Sequence, residues 1–130
     1  MKKTAVFILL VIVVAAGVML YTFVFKGEPP PEYDQYSPGD FFVTNVKDSN
    51  RLLKTSVVLE LDSKKMQDEL KDKNTLIRDT IIFILRELDE TDVRSPDVQE
   101  KLRVQLKDAL NKQLGTEHII GILFNDFVMH

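Results

Sequence analysis

Thr4 to Phe25 is a run of 22 residues without a charge, nearly all of them apolar. As a helix at ~1.5 Å per residue it would extend ~33 Å, enough for the ~30 Å hydrocarbon core of a bilayer. Lys2 and Lys3 precede it, Lys26 follows it, and no later stretch is as long and apolar. A cleaved secretory signal is the competing reading, with Lys2-Lys3 as basic start and Ala15-Ala16-Gly17 as small-residue site. Cleavage after Gly17 would leave a terminus opening on Val18-Met19-Leu20-Tyr21-Thr22-Phe23-Val24-Phe25. An uncleaved membrane anchor bounded by Thr4 and Phe25 is therefore expected. Tyr21, Phe23 and Phe25 would sit at an interface, where aromatic rings settle. Lys2 and Lys3 favour a cytoplasmic N-terminus, while Glu28 and Glu32 oppose Lys26 on the far flank. The expected orientation is N-terminus in, with residues 26–130 outside the cytoplasm.

The 105 residues after the anchor suffice for one domain with a modest core. They hold all 20 Asp/Glu and, without Lys2 and Lys3, 15 of the 17 Lys/Arg, for a net charge of −5. Such a balance argues against nucleic acid as a partner, because phosphate recognition needs concentrated positive charge. Residues 26–40 read as a linker, in which Pro29-Pro30-Pro31 favours polyproline II. At ~3.1 Å per residue it would reach roughly 45 Å. Tyr33 and Tyr36 within it are candidate docking residues, the alternative being packing against the domain or exposure to solvent. Ser37-Pro38-Gly39-Asp40 is turn chemistry and marks the expected boundary of a domain over 41–130.

Phe41 to Val46 is short, aromatic and β-branched, and predicts a strand. After the turn Lys47-Asp48-Ser49-Asn50, a longer strand places Leu53, Val57, Leu59 and Leu61 on one face and Lys54, Ser56, Glu60 and Asp62 on the other. The two strands form an expected antiparallel hairpin. From Ser63, a plausible N-cap, the period becomes helical, with a fresh or kinked turn at Asn74. Ile77, Ile81, Ile84, Leu85 and Leu88 define the buried face, and Asp89 to Asp92 is an acidic loop. Ser95-Pro96 reads as the start of a second helix, with Val98, Leu102, Leu106, Ala109 and Leu110 as its stripe and Gly115 as its stop. His118 to Met129 is a last strand that must pair with an earlier one. The expected fold class is α+β: a single transmembrane helix, then a small ββααβ domain with two helices on one face of a sheet.

No catalytic constellation is legible. Cysteine is absent, and His118 and His130 lack metal-ligand spacing. No GxSxG or phosphate-cradling loop occurs, so no catalytic residue, metal or cofactor is expected. Ile81-Ile82-Phe83-Ile84-Leu85 is apolar on every side of a helix. Either the helix is sandwiched between sheet and second helix, or Ile82 and Phe83 belong to a subunit contact.

The residues resemble the flagellar basal body-associated FliL family over the whole chain. The landmarks are Phe42-Val43-Thr44-Asn45, Arg51-Leu52-Leu53-Lys54, Val57-Val58-Leu59-Glu60-Leu61 and Ile77-Arg78-Asp79 with Ile81-Ile82 and Leu85. Leu102 to Asn111 and Phe124-Asn125-Asp126-Phe127-Val128 follow, in the family's order behind an anchor. Val98 or its neighbours stand where the family usually has a glycine, and His130 where it has glutamine. The resemblance implies a non-enzymatic cytoplasmic-membrane protein with a periplasmic domain of the stomatin/prohibitin (SPFH) type. It also implies a homo-oligomeric ring around the stator proteins MotA and MotB, close to the rotor membrane ring. On that reading Arg78 is a candidate contact residue, with a buried pairing to a nearby acid as the alternative. A ligand-sensing or adaptor domain held at the membrane is the competing function.

Overall fold

The computed structural model describes residues 1–25, 30 and 32–130, in two compact units, Met1–Pro31 and Glu32–His130. In the first, helix α1 (Lys2–Phe25) has no buried residue. It is the one helix among the described residues long and apolar enough to cross a membrane. The Thr22 hydroxyl donates to the Met19 carbonyl at 2.9 Å, and the Tyr21 and Phe25 rings stack at 4.9 Å. Thr22 thus satisfies its hydroxyl within the helix, as a helix crossing hydrocarbon would require. The expected polyproline segment lies largely outside the described residues.

The second unit is built on strand β3 (Leu52–Leu61), which pairs antiparallel with the other three strands. Strand β4 (Ile119–Met129) runs along the whole of one edge, from Leu53 opposite Met129 to Leu61 opposite Ile119. The other edge is shared end to end by β2 (Phe42–Asn45), opposite Thr55 to Leu52, and β1 (Asp34–Tyr36), opposite Leu61 to Leu59. The register along β4 shifts twice, leaving Asn125 and Ile120 as extra residues. At the first shift the buried Thr55 hydroxyl donates to the Asp126 carbonyl at 2.6 Å. The hairpin and the returning last strand are as the alternation requires. Strand β1 is a correction: it falls inside the expected linker, so the compact unit starts at Glu32 rather than at residue 41.

The helical half also departs from two simple helices. A 3-10 turn (Lys64–Met66), capped by the Ser63 side chain, leads into α2 (Gln67–Asp72), and α3 (Asn74–Leu85) follows a break at Lys73. The expected acidic loop is a one-turn helix, α4 (Glu90–Arg94), where Asp89 and Asp92 form a reciprocal capping box at 2.8 and 3.1 Å. Helix α5 (Val98–Leu114) starts after Ser95-Pro96. Ser95 terminates α4 instead of capping α5, and its hydroxyl is drawn to the Asp97 carboxylate. Gly115 ends α5 at φ 63°, a left-handed conformation that a Cβ disfavours. The order is therefore β1, β2, β3, α2, α3, α4, α5, β4.

Helices α3 and α5 pack against each other, α3 onto β2 and α5 onto β4. They bury one face of the sheet, with Leu53, Val57, Leu59 and Leu61 at 1% exposure or less. Ile77 and Ile81 from α3 and Leu102, Leu106 and Leu110 from α5 close the core. Truncating Leu106 to alanine should cost about 2–5 kcal/mol, through lost burial and the cavity left behind. Val104 lies on the exposed side of α5, so V104A should stay within about 0.5 kcal/mol of wild type. Urea unfolding of the two variants checks this pair.

Candidate interaction surfaces of the domain

The interrupted edge of the sheet is held by side chains from the helices. Between β1 and β2, five residues, 37–41, stand against three of β3, residues 56–58. The Arg78 guanidinium, carried by α3, donates to the Pro38 carbonyl at 3.1 Å and the Phe41 carbonyl at 3.2 Å. It also lies 4.3 Å from the centroid of the Phe42 ring, a cation–π contact. Asn74 donates to the same Pro38 carbonyl at 3.2 Å. Gly39 passes under the guanidinium with φ 149°, and a Cβ there would collide with Arg78 Nη1. Arg78 is therefore a clamp on backbone carbonyls, and no acid pairs with it among the described residues.

Tyr36 is a second correction. It is 7% exposed, and its hydroxyl donates to Asn74 Oδ1 at 2.6 Å and lies 3.3 Å from the Leu70 carbonyl. Its place in β1 puts it in the core, so it is not a docking residue. Burial pushes its phenol pKa up. Next to it, Gln67 donates to the Asp34 carboxylate at 2.7 Å and the Gln35 carbonyl at 2.8 Å, covering β1. The Gln67 amide, then the Gln35 amide, hold the Asp34 carboxyl below its ordinary value. Asn111 does the same at the far edge, donating to the Ile119 carbonyl at 2.8 Å and accepting from its amide at 3.2 Å.

The remaining candidates are on the surface. Tyr33 is 67% exposed. Of the five consecutive apolar residues 81–85 of α3, Ile81, Ile84 and Leu85 are buried, Ile82 is half-buried and Phe83 is 70% exposed. The sandwich alternative thus accounts for all but Phe83. Phe83 and Ile82 line an open groove of about 370 Å³ with Lys47, Asp79, Arg86 and Glu87. Thr4, Gly17, Tyr21 and Phe25 lie exposed along α1. No group of three or more His, Cys, Asp or Glu is arranged to hold a metal ion among the described residues. His118 pairs with Asp62 at 2.7 Å, joining the start of β4 to the end of β3. Sequence reasoning missed the face of the sheet away from the helices. Val43 there is 57% exposed, and Leu52 and Val128 are 43% and 44%. Their signal was the pair of aliphatic residues that blur the alternation of β3, Leu52 and Val58.

These features define a class: a small α+β domain joined to an apolar helix long enough to cross a membrane. The family model for the flagellar basal body-associated protein FliL matches residues 36–129, and the chain belongs to that family. Two relatives named flagellar protein FliL are similar to it. That of Aquifex aeolicus is 26% identical over 106 residues, spanning 80% of this chain and 66% of its own length. That of Bacillus subtilis is 26% identical over 84 residues, spanning 65% of this chain and 59% of its own length. The chain thus spans just under two thirds of the first relative and about three fifths of the second.

Arg78→Ala should destabilise the domain by about 1.5–3 kcal/mol, the range for charged hydrogen bonds, with lysine restoring only part because it lacks the planar fork. Urea unfolding against a motility assay separates clamp from contact: a contact residue would lose motility with stability unchanged. Tyr36→Phe should cost about 1 kcal/mol for the lost hydroxyl bonds. Because the folded pKa lies above the ordinary 10.0, the wild type keeps this contribution below pH 10. It loses it as the pH rises from 10 through the raised value. Thermal melts between pH 8 and pH 11 should show a shallower alkaline decline for Y36F.

Proposed function

We propose that this chain is a non-enzymatic accessory protein of the flagellar motor, held in the cytoplasmic membrane by α1. Its N-terminus lies in the cytoplasm and its domain on the periplasmic side. Copies assemble as a ring around stator units of MotA and MotB, next to the rotor membrane ring, and support torque. Membership of the FliL family over residues 36–129 carries this reading, and the apolar helix ahead of the domain supports it. The SPFH-type use of the domain, side by side in a closed assembly, fits a surface with exposed apolar residues on more than one side. Lipid enters as the solvent of α1, and the orientation rests on Lys2 and Lys3.

Deleting the gene should reduce swimming and swarming, most of all under high viscous load, while growth rate stays unchanged. The wild-type gene should restore both. Full motility of the deletion strain in viscous medium would overturn the stator role. Carbonate washing of membranes should leave the full-length chain in the pellet, and its release into the supernatant would overturn the anchor.

A further inference from the structure

The helices cover one face of the sheet only, and the uncovered face is not the polar face that a solvated antiparallel sheet presents. The pairing register puts Val43, Lys54 and Val128 in one row across β2, β3 and β4. Leu52 lies in the next row on one side and Asp126 in the next on the other. Lys54 is therefore a cation set among exposed aliphatic side chains, with its Nζ 4.1 Å from the centroid of the Phe41 ring. Asp126 supplies an acid one row away.

Helix α3 has an outward stripe of the opposite make-up. At 100° per residue Leu76, Asp79, Phe83 and Arg86 fall on one side, opposite the buried Ile77, Ile81 and Leu85. Leu76 is 37% exposed and Phe83 is 70% exposed. Asp79 lies among apolar groups as Lys54 does on the sheet, with Arg86 further along. None of these four charged side chains makes a salt bridge among the described residues, whereas seven other pairs do. The spacings match as well. Asp79 and Arg86 are ~10.5 Å apart along the helix. Lys54 and Asp126, one row and one strand apart, are ~8 Å apart on the sheet, a difference that long side chains absorb.

We propose that α3 of one copy packs across the open face of the sheet of the next copy. Lys54 then faces Asp79 and Asp126 faces Arg86, so Phe83, between those two pairs, is seated against Val128, and Leu76, one turn before Asp79, against Val43 and Leu52. The two patches lie on different sides of the domain, so the contact is heterologous: each copy offers its helix to one neighbour and its sheet to the other. Such a contact propagates and closes into a ring when its rotation allows. Copies anchored in one membrane share one orientation, which keeps the axis along the membrane normal. The proposal rests on the self-association reading above and names the surfaces that reading leaves open.

The test uses the full-length chain in lipid vesicles, where the absence of cysteine removes any thiol background. A chain carrying both Lys54→Cys and Asp79→Cys, treated with a short bismaleimide, should give a ladder of crosslinked oligomers. Each single-cysteine chain should give none. Lys54→Glu should weaken assembly about tenfold, as reversing one partner of an interfacial charge pair does. Adding Asp79→Lys to the same chain should restore it, and Asp79→Lys alone should weaken assembly as Lys54→Glu does. Unchanged circular dichroism melts confirm that the variants fold. A wild-type chain that stays monomeric in vesicles would overturn self-association itself. A wild-type chain that assembles while the double-cysteine chain gives no ladder and K54E is neutral would overturn this contact alone. Dimers from either single-cysteine chain would overturn its heterologous geometry.

Discussion

The domain depends on β3 being hydrogen-bonded along both edges. Every other strand pairs with β3 and with no other strand. Removing it would leave three strands without partners and a core without a floor. That double pairing requires an interior strand with no proline and a buriable face, which Leu53, Val57, Leu59 and Leu61 supply together with Thr55, whose hydroxyl is satisfied by the Asp126 carbonyl. The helices then have one place to go, because only that face buries enough apolar surface to offset the entropy of ordering the chain.

Both edges of so narrow a sheet are exposed, and the molecule blunts them with side chains. Asn111 occupies Ile119, Gln67 occupies Gln35, and Arg78 with Asn74 occupies the carbonyls between β1 and β2. Two register shifts in β4 and the break in the opposite edge do the rest, since bulges and short edge strands discourage strand addition. Association through the sheet's face therefore fits this molecule better than association through its edge. Gln67, Asn74 and Arg78 also fasten β1, the first strand after α1 in the chain, and the segment behind it onto α2 and α3.

Exposed Phe83 on α3 and Val43, Leu52 and Val128 on the back of the sheet leave apolar surface uncovered on two sides of the domain. Membership of the FliL family ties the domain to proteins described as associated with the flagellar basal body.

Much was already determined by residue order. A charge-free run of 22 residues is helical and apolar whatever follows it, and period-2 and period-3.6 patterns are local properties of the backbone. The hairpin, the break near Asn74, the stop at Gly115 and the buried stripes of α3 and α5 were legible for that reason. Only the tertiary structure decided what depends on partners far away in the chain. Tyr36 looked like a linker tyrosine until Leu59, Leu70 and Asn74 closed around it. Arg78 could be read from sequence as a contact or an acid-paired arginine, and only the fold brings the carbonyls of residues 38 and 41 within its reach. Lys54 and Asp126 are 72 positions apart and share a surface because β4 returns antiparallel to β3. Local patterns follow from neighbours along the backbone, whereas edges, clamps and open faces exist only once strands from opposite ends of the chain have paired.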